Sequence, residues 1–343
     1  MNLPTEGCLS THAAEKVVIE TATGAFDTAA LKLNRDWGTT LDGKQIQRWS
    51  ERIGTHGVQR REAALVALEK KNVLPPCKAN EPEVLVIGLD GGRVQTRLKN
   101  KDGTRWREDK VATVTSYISG THTRDGEAQK LVSTHLATME DAVKCGRLAR
   151  LEAERRGIRR AQQVIVMGDG APWIDTIADT HFAHAVRIVD WYHASEHLHK
   201  AAKAACGNDP TPSDTLAEHW ESLLWDGSFD ALLEQLRGQG ERLGQPPTDA
   251  PETDPREVLR KALNYFASRR DRMDYPRYRR NGWPIGSGVV ESGVKLYNKR
   301  VKGTEQFWNV PGVEAILHLR SEWLNDPQGL HHRLWPAPAR KAA

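Results

Sequence analysis

VLVIGLDGG, residues 84–92, is an apolar, β-branched run that ends on Asp90 and a glycine pair. A second run, VIVMGDGAPW over residues 164–173, reaches Asp169 and Gly170 in the same way. Runs of this composition, closed by Asp-Gly, read as buried strands that stop at a turn. A third acid, Glu291 in PIGSGVVESGVK (residues 284–295), lies just inside a helix start marked by Gly-Ser-Gly. Carboxylates at strand ends beside glycines are open to solvent and short of neutralising partners. Hard divalent cations such as Mg2+ or Mn2+ take such oxygen-only donors. Two of them, about 3.5–4 Å apart, can clamp the attacking and leaving oxygens of a phosphodiester displacement. A single Asp-Gly after a strand is ordinarily a turn former, so the weight rests on the set of three.

Outward from these runs, EVLVIGLD (83–90) is read as the first strand, RVQTRLKN (93–100) as its hairpin partner and KVATVTSYI (110–118) as the third. From Gly126 to Arg156 the residues Leu131, His135, Met139, Val143, Leu148 and Leu151 recur at helical spacing. QVIVMGDG (163–170) is the next strand, APWIDTIADTHF (171–182) a short helix, HAVRIVD (184–190) the fifth strand, and a helix follows from about Tyr192 to Cys206. Three strands, helix, strand, helix, strand is the order of an α/β domain of the RNase H-like kind. A polar, mostly helical insertion is expected over about 207–280, with a Pro-rich loop at GQPPTDAPETDP (244–255). The Glu291 helix and VPGVEAILHLRSEWLND (310–326) then complete the domain.

The expected organisation is a small helical N-terminal region over 1–80, a catalytic-type domain over 81–325 and a flexible tail over 326–343. The boundary between the first two falls in the Pro-containing linker NVLPPCKANEP (72–82). Within the N-terminal region DTAALKLNRDW (27–37), GTTLDG (38–43) and KQIQRWSERIG (44–54) match a helix-turn-helix. It would present Lys44, Gln45, Gln47 and Arg48 to a DNA groove; an ordinary helical pair packed on the core fits the same residues.

At 343 residues, with 38% hydrophobic and 27% charged side chains, the sequence has the composition of a soluble protein with one large core or two moderate ones. No apolar run approaches the roughly 20 residues of a membrane span, and MNLPTEGCLSTHAAEK lacks the apolar core of a signal peptide. Cys8, Cys77, Cys145 and Cys206 form no CxxC pair, which argues against a zinc ribbon or disulfide scaffold and for a reducing cytoplasm.

Net charge is +4 but uneven: residues 207–254 hold 11 acids against 2 bases, while 256–304 hold 13 Lys and Arg against 4 acids. In SRRDRMDYPRYRRNGWP (268–284) arginines, among them Arg277, Arg279 and Arg280, alternate with Tyr and Trp. That mixture suits phosphate contacts with base stacking; a solvated charged helix is the plainer reading. Lys295, four residues after Glu291, shares its helical face, and Lys299, Arg300 and Lys302 extend the positive surface. Trp191, Trp283 and Trp308 flank the motifs, as base-stacking or core residues. In DWYHASEHLH (190–199), His193, Glu196 and His197 also fit H-x-x-E-H, an inverted zinc-peptidase motif, which would leave Asp90, Asp169 and Glu291 unexplained.

Taken together, LDGG at Asp90, GDGAPWI at Asp169, DWYHASEHL (190–198), GSGVVESGVK at Glu291 and KRVKGTEQFWNVPGVEAILHLR (299–320) resemble the DDE transposases of bacterial insertion sequences. The resemblance is to the Kra-type group, related to eukaryotic Mutator-like elements, and runs from about residue 84 to 325. It implies an RNase H-like catalytic domain in which Asp90, Asp169 and Glu291 bind two Mg2+ (or Mn2+) ions. Asp190-x-x-His193 corresponds to the [Cys/Asp]-x-x-His signature of such enzymes. It would place His193 beside the acids, touching the scissile phosphate or fixing Asp190; a structural histidine is the alternative. The implied partners are the element's ends and target DNA, engaged by a homo-oligomer at the bacterial nucleoid, without a membrane. The chain is short at its N-terminus for this family, so a catalytically idle DNA-binding remnant is the second reading.

Overall fold

Three helices come first in this computed structural model, which describes residues 9–77, 81–207, 209–303 and 306–335. They are α1 (Thr11–Thr23), α2 (Phe26–Trp37) and α3 (Gly43–Lys71). Ser10 caps α1, and Asp42 with Gln45 forms a capping box at α3. α3 is far longer than the recognition helix read from the sequence, and it lies against the rest of the chain. Gly54 and Gly57 permit this: a Cβ at Gly54 would stand 2.5 Å from the Ala315 carbonyl oxygen, and one at Gly57 would meet the His318 ring. Lys44, Gln45 and Arg48 remain exposed and Gln47 is half-buried. Cys8, residues 78–80 of the linker and residues 336–343 of the expected tail lie outside the described residues.

The sheet begins with β1 (Val84–Gln95), which runs straight through Asp90. It pairs antiparallel along its whole length with β2 (Trp106–Ile118), Val84 facing Tyr117 and Gln95 facing Trp106. The turn expected at Asp90-Gly91-Gly92 is therefore absent. Asp90 sits in mid-strand, and RVQTRLKN contributes to the same strand instead of a second one. The glycines serve close approach, since a Cβ at Gly92 would lie 2.5 Å from Asp109 Oδ1. Reversal comes at Asn100–Thr104, where the Asn100 side chain accepts from the amides of Asp102 and Thr104.

β3 (Gln129–Thr138) pairs antiparallel with β2 where a helix had been expected from Gly126. KLVSTHLAT is rich in β-branched residues, and helical spacing holds only for α4 (Ala142–Arg155). β4 (Gln163–Gly168), α5 (Pro172–His181) and β5 (Val186–Val189) follow as read, with β4 parallel to both β1 and β5. The five-stranded mixed sheet has the order β3-β2-β1-β4-β5, compatible with an RNase H-like core.

After β5 come α6 (Trp191–Cys206), then the helical insertion α7 (Pro210–Trp225), α8 (Phe229–Leu243), α9 (Pro255–Arg269) and α10 (Tyr275–Arg280). The last described elements are α11 (Gly288–Val301), α12 (Val310–Asn325) and α13 (Leu330–Leu334). α13 lies where a flexible tail was expected, yet Leu330 and Leu334 are buried and Arg333 pairs with Glu322 at 2.6 Å.

Alternation along the strands divides the core. Leu85, Ile87 and Leu89 face α4, α5 and Leu65 of α3. On the opposite face Val84 and Val86 meet the aromatic-rich insertion, with Trp220, Phe266, Tyr275 and Tyr278. Farther along that same face Val94 and Val111 meet Val290, Tyr297 and Val301 of α11 and the apolar side of α12. Asp90 lies on this second face, between the two clusters.

Candidate active site

Strand register sets the site. Gly88 is paired with Met167, and Met167 with Ile188. Two residues beyond each of these come Asp90, inside β1, Asp169, one residue past the end of β4, and Asp190, one residue past the end of β5, so the three acids follow one another across adjacent strands. α11 crosses this face closely because Gly88 has no side chain: a Cβ there would be 2.7 Å from Thr113 Oγ1 and 3.0 Å from Val290 Cβ. That approach brings Glu291, in the first turn of α11, within reach of Asp90, which feels its charge.

Asp90, Asp169 and Glu291 are all half-buried. Asp90 Oδ1 accepts the Gly91 N–H at 2.7 Å, and Asp169 Oδ1 accepts the Ala171 N–H at 2.8 Å. Ser287 Oγ donates to Glu291 Oε1 at 3.4 Å, and Lys295 Nζ stands 4.0 Å from Glu291 Oε2. The Asp90 carboxyl is pushed above the ordinary range, first by burial and further by the negative charges of Asp169 and Glu291. The Gly91 N–H and His193 oppose the shift. Asp90 thus feels Asp169, Glu291 and His193 together, although about 200 residues separate the first acid from the last.

Asp190 is fully buried. Its Oδ1 accepts the N–H groups of Tyr192 and His193, and its Oδ2 accepts that of Ser287. One carboxylate therefore caps α6 and ties that cap to the entry of α11. Its link to His193 runs through the backbone N–H, which places the histidine at the first turn of α6.

The insertion holds the Asp169 turn, a function sequence reasoning did not find. Tyr265 Oη donates to the Asp169 carbonyl at 2.9 Å and Arg269 Nε to the Gly170 carbonyl at 2.9 Å. Arg269 also lies over the Tyr265 ring, and His197 stacks on it with centroids 3.9 Å apart. Gly170 is needed twice: its φ of 82° is left-handed, and a Cβ would stand 2.6 Å from Arg269 Nε.

In the H-x-x-E-H stretch, His197 is committed to Tyr265, and burial foremost depresses its pKa to about 4. Glu196 points to Lys200 at 3.3 Å, while only His193 is felt by Asp90. Among the described residues no three or more His, Cys, Asp or Glu side chains stand close enough to hold a metal ion as a ready-made cage. For the acids, unneutralised carboxylates repel one another, and a two-ion site divides its ligands between centres about 3.5–4 Å apart. The donors at Asp90, Asp169 and Glu291 are all carboxylate oxygens, a set that fits hard divalent cations.

The basic residues divide. Lys295, Lys299 and Lys302 of the α11 segment are exposed, with Lys302 over the Trp106 ring. Arg300 is not: it is 3% exposed, donates to the Thr21 carbonyl and lies between Phe26 and Trp308. Burial lowers its pKa to about 10. On α10, Arg277, Arg279 and Arg280 are exposed, but Arg277 faces Asp274 and Arg279 donates to the Trp225 carbonyl. The intervening Tyr275 and Tyr278 are core residues, and Trp283 stacks on Tyr278. The aromatic half of the expected base-stacking stretch therefore builds the insertion's interior. Trp191 packs against the same core and Trp308 is buried. The exposed aromatic near the site is Tyr192, whose ring covers Gly286.

No family model matches this chain, and no curated protein matches it. Among solved structures, a Drosophila P element transposase strand transfer complex aligns over 95% of this chain and 94% of that chain, with 9% identity and a TM-score of 0.37. Likeness at that level establishes neither fold nor activity for this chain. No helix among the described residues is long and apolar enough to cross a membrane.

Proposed function

We propose that this chain is a transposase of the Kra-type insertion-sequence kind, which cuts DNA at its element's ends and joins them to target DNA. The observation that carries the reading is that Asp90 on β1 feels the charges of Asp169 from the turn after β4, Glu291 from α11 and His193 from α6 together. Two bound Mg2+ or Mn2+ ions would activate the attacking oxygen and stabilise the leaving oxygen of each in-line displacement. Asp90 and Asp169 supply fixed oxygens because sheet register and the Tyr265–Arg269 clamp hold them. Glu291 closes the site from α11, and Asp190 sets that helix against α6. His193, at the N-terminal turn of α6, is the group available to touch a phosphate oxygen. Lys295, Lys299 and Lys302 extend from the acids along exposed surface and suit the DNA backbone. No serine or tyrosine nucleophile is required.

The test uses duplex DNA from either side of the coding region. With Mg2+, wild-type protein should nick it, and Asp90→Ala should stop nicking while leaving DNA binding within about twofold. Binding without nicking by the wild type would mark the idle remnant. A peptidase activity that requires Glu196 would mark zinc chemistry instead.

A further inference from the structure

Asp109 is a second buried acid on the site's face of the sheet. Val111 stands opposite Asp90 and Asp109 opposite Gly92, so Asp109 is the diagonal cross-strand neighbour of Asp90 on the same face. Its carboxylate leans over β1 into the space Gly92 leaves, with Oδ1 and Oδ2 at 2.5 and 2.9 Å from where a Cβ would be. The residue is 1% exposed, and neither oxygen has a hydrogen-bond partner. A buried carboxylate without partners is costly and rare in folded proteins.

No neighbouring cation hydrogen-bonds to it. Lys110 points to the opposite face, where it pairs with Glu108 at 2.6 Å and lies over Trp173. Arg107, the next residue on the Asp109 face, leaves its own buried Nε unpartnered. Burial above all, with Glu108 and Asp90 adding to it and its own backbone N–H and Lys110 opposing, pushes the Asp109 carboxyl up to about 6.

We propose that Asp109 is a fourth carboxylate of the site, a further oxygen donor toward the divalent cation beside Asp90. The proposal rests on the functional reading given above and adds a ligand from β2. A hard cation there would supply the positive charge that both orphaned oxygens lack.

Mn2+ binding to the full-length protein without DNA, followed by electron paramagnetic resonance, tests it. Asp109→Asn should weaken Mn2+ binding about tenfold or more without lowering the melting temperature in EDTA. Gly92→Ala keeps the carboxylate but displaces it, and should weaken Mn2+ in the same direction. Glu108→Gln, on the opposite face, should bind Mn2+ like wild type. If Asp90→Asn loses Mn2+ while Asp109→Asn retains it, the Asp109 proposal is overturned and the site stands. If Asp90→Asn also binds normally, both are overturned. Should Asp109→Asn fail to fold, unchanged Mn2+ affinity in Gly92→Ala overturns the proposal.

Discussion

Asp109, on the site's face of the sheet, and Asp190, one residue past β5, are both buried aspartates, and they are used in opposite ways. Asp190 accepts three backbone N–H groups and joins the starts of two helices. Asp109 accepts none. A carboxylate saturated by backbone donors has no lone pairs to spare and serves architecture. One that is buried and unsatisfied costs the fold and earns its place through something the protein alone does not contain. The contrast separates the scaffold of this site from its chemistry more sharply than sequence position does, since Asp190 is the one that lies inside a recognisable motif.

The largest effect expected from breaking that contrast is at Asp190. Asp190→Ala strands three N–H groups at the junction of α6 and α11 and should cost about 3 kcal/mol, read from urea midpoints. An unchanged midpoint would mean that the cap holds nothing. A third group sharpens the comparison: His135, opposite Thr113 on the same face, also has an unpartnered ring nitrogen. Burial, aided by Lys130, depresses its pKa to about 4. The unfolded chain protonates near the ordinary value of 6.5, while the folded protein resists until about 4. Stability present above pH 6.5 should therefore fall as pH drops through that window, by up to about 3 kcal/mol. His135→Gln should flatten that slope.

Smaller still is the Tyr265 clamp. Tyr265→Phe keeps the ring against His197 but removes the bond to the Asp169 carbonyl. It should cost about 1 kcal/mol and slow nicking more than it weakens DNA binding. At the bottom of the scale, Asp109→Asn in EDTA should shift stability by less than about 0.5 kcal/mol, or raise it. A loss as large as that of Asp190→Ala would return Asp109 to the scaffold.

Much of this was legible in the sequence. The strand before Asp169, the short helix after it, the strand before Asp190 and the Glu291 helix each follow from an apolar run with clear start and stop residues. The rest depended on partners distant in the chain. The glycine pair after Asp90 resembles a turn, and only pairing with β2 shows that it makes room for Glu108 and Asp109. β3 carries helical spacing by coincidence, overridden by the strand beside it. Arg300 looked like its exposed neighbours Lys299 and Lys302, but α1 and Phe26 cover it. Asp109 gave no signal, because an acid in WREDKVATV reads as solvent-facing unless the opposite strand is known. Tyr265 and Arg269 lay in an insertion read for its charge, and their hold on the Asp169 turn appears only in three dimensions.

The most direct measurement replaces Mg2+ with Fe2+ in the DNA-free protein and adds ascorbate and peroxide, so that radicals cut the chain beside the bound ion. Fragments should end near Asp90, Asp169 and Glu291, and excess Mg2+ should suppress all three cuts together. Cuts confined to the His193–His197 turn, or cuts that Mg2+ leaves untouched, would contradict a shared cation site at these acids.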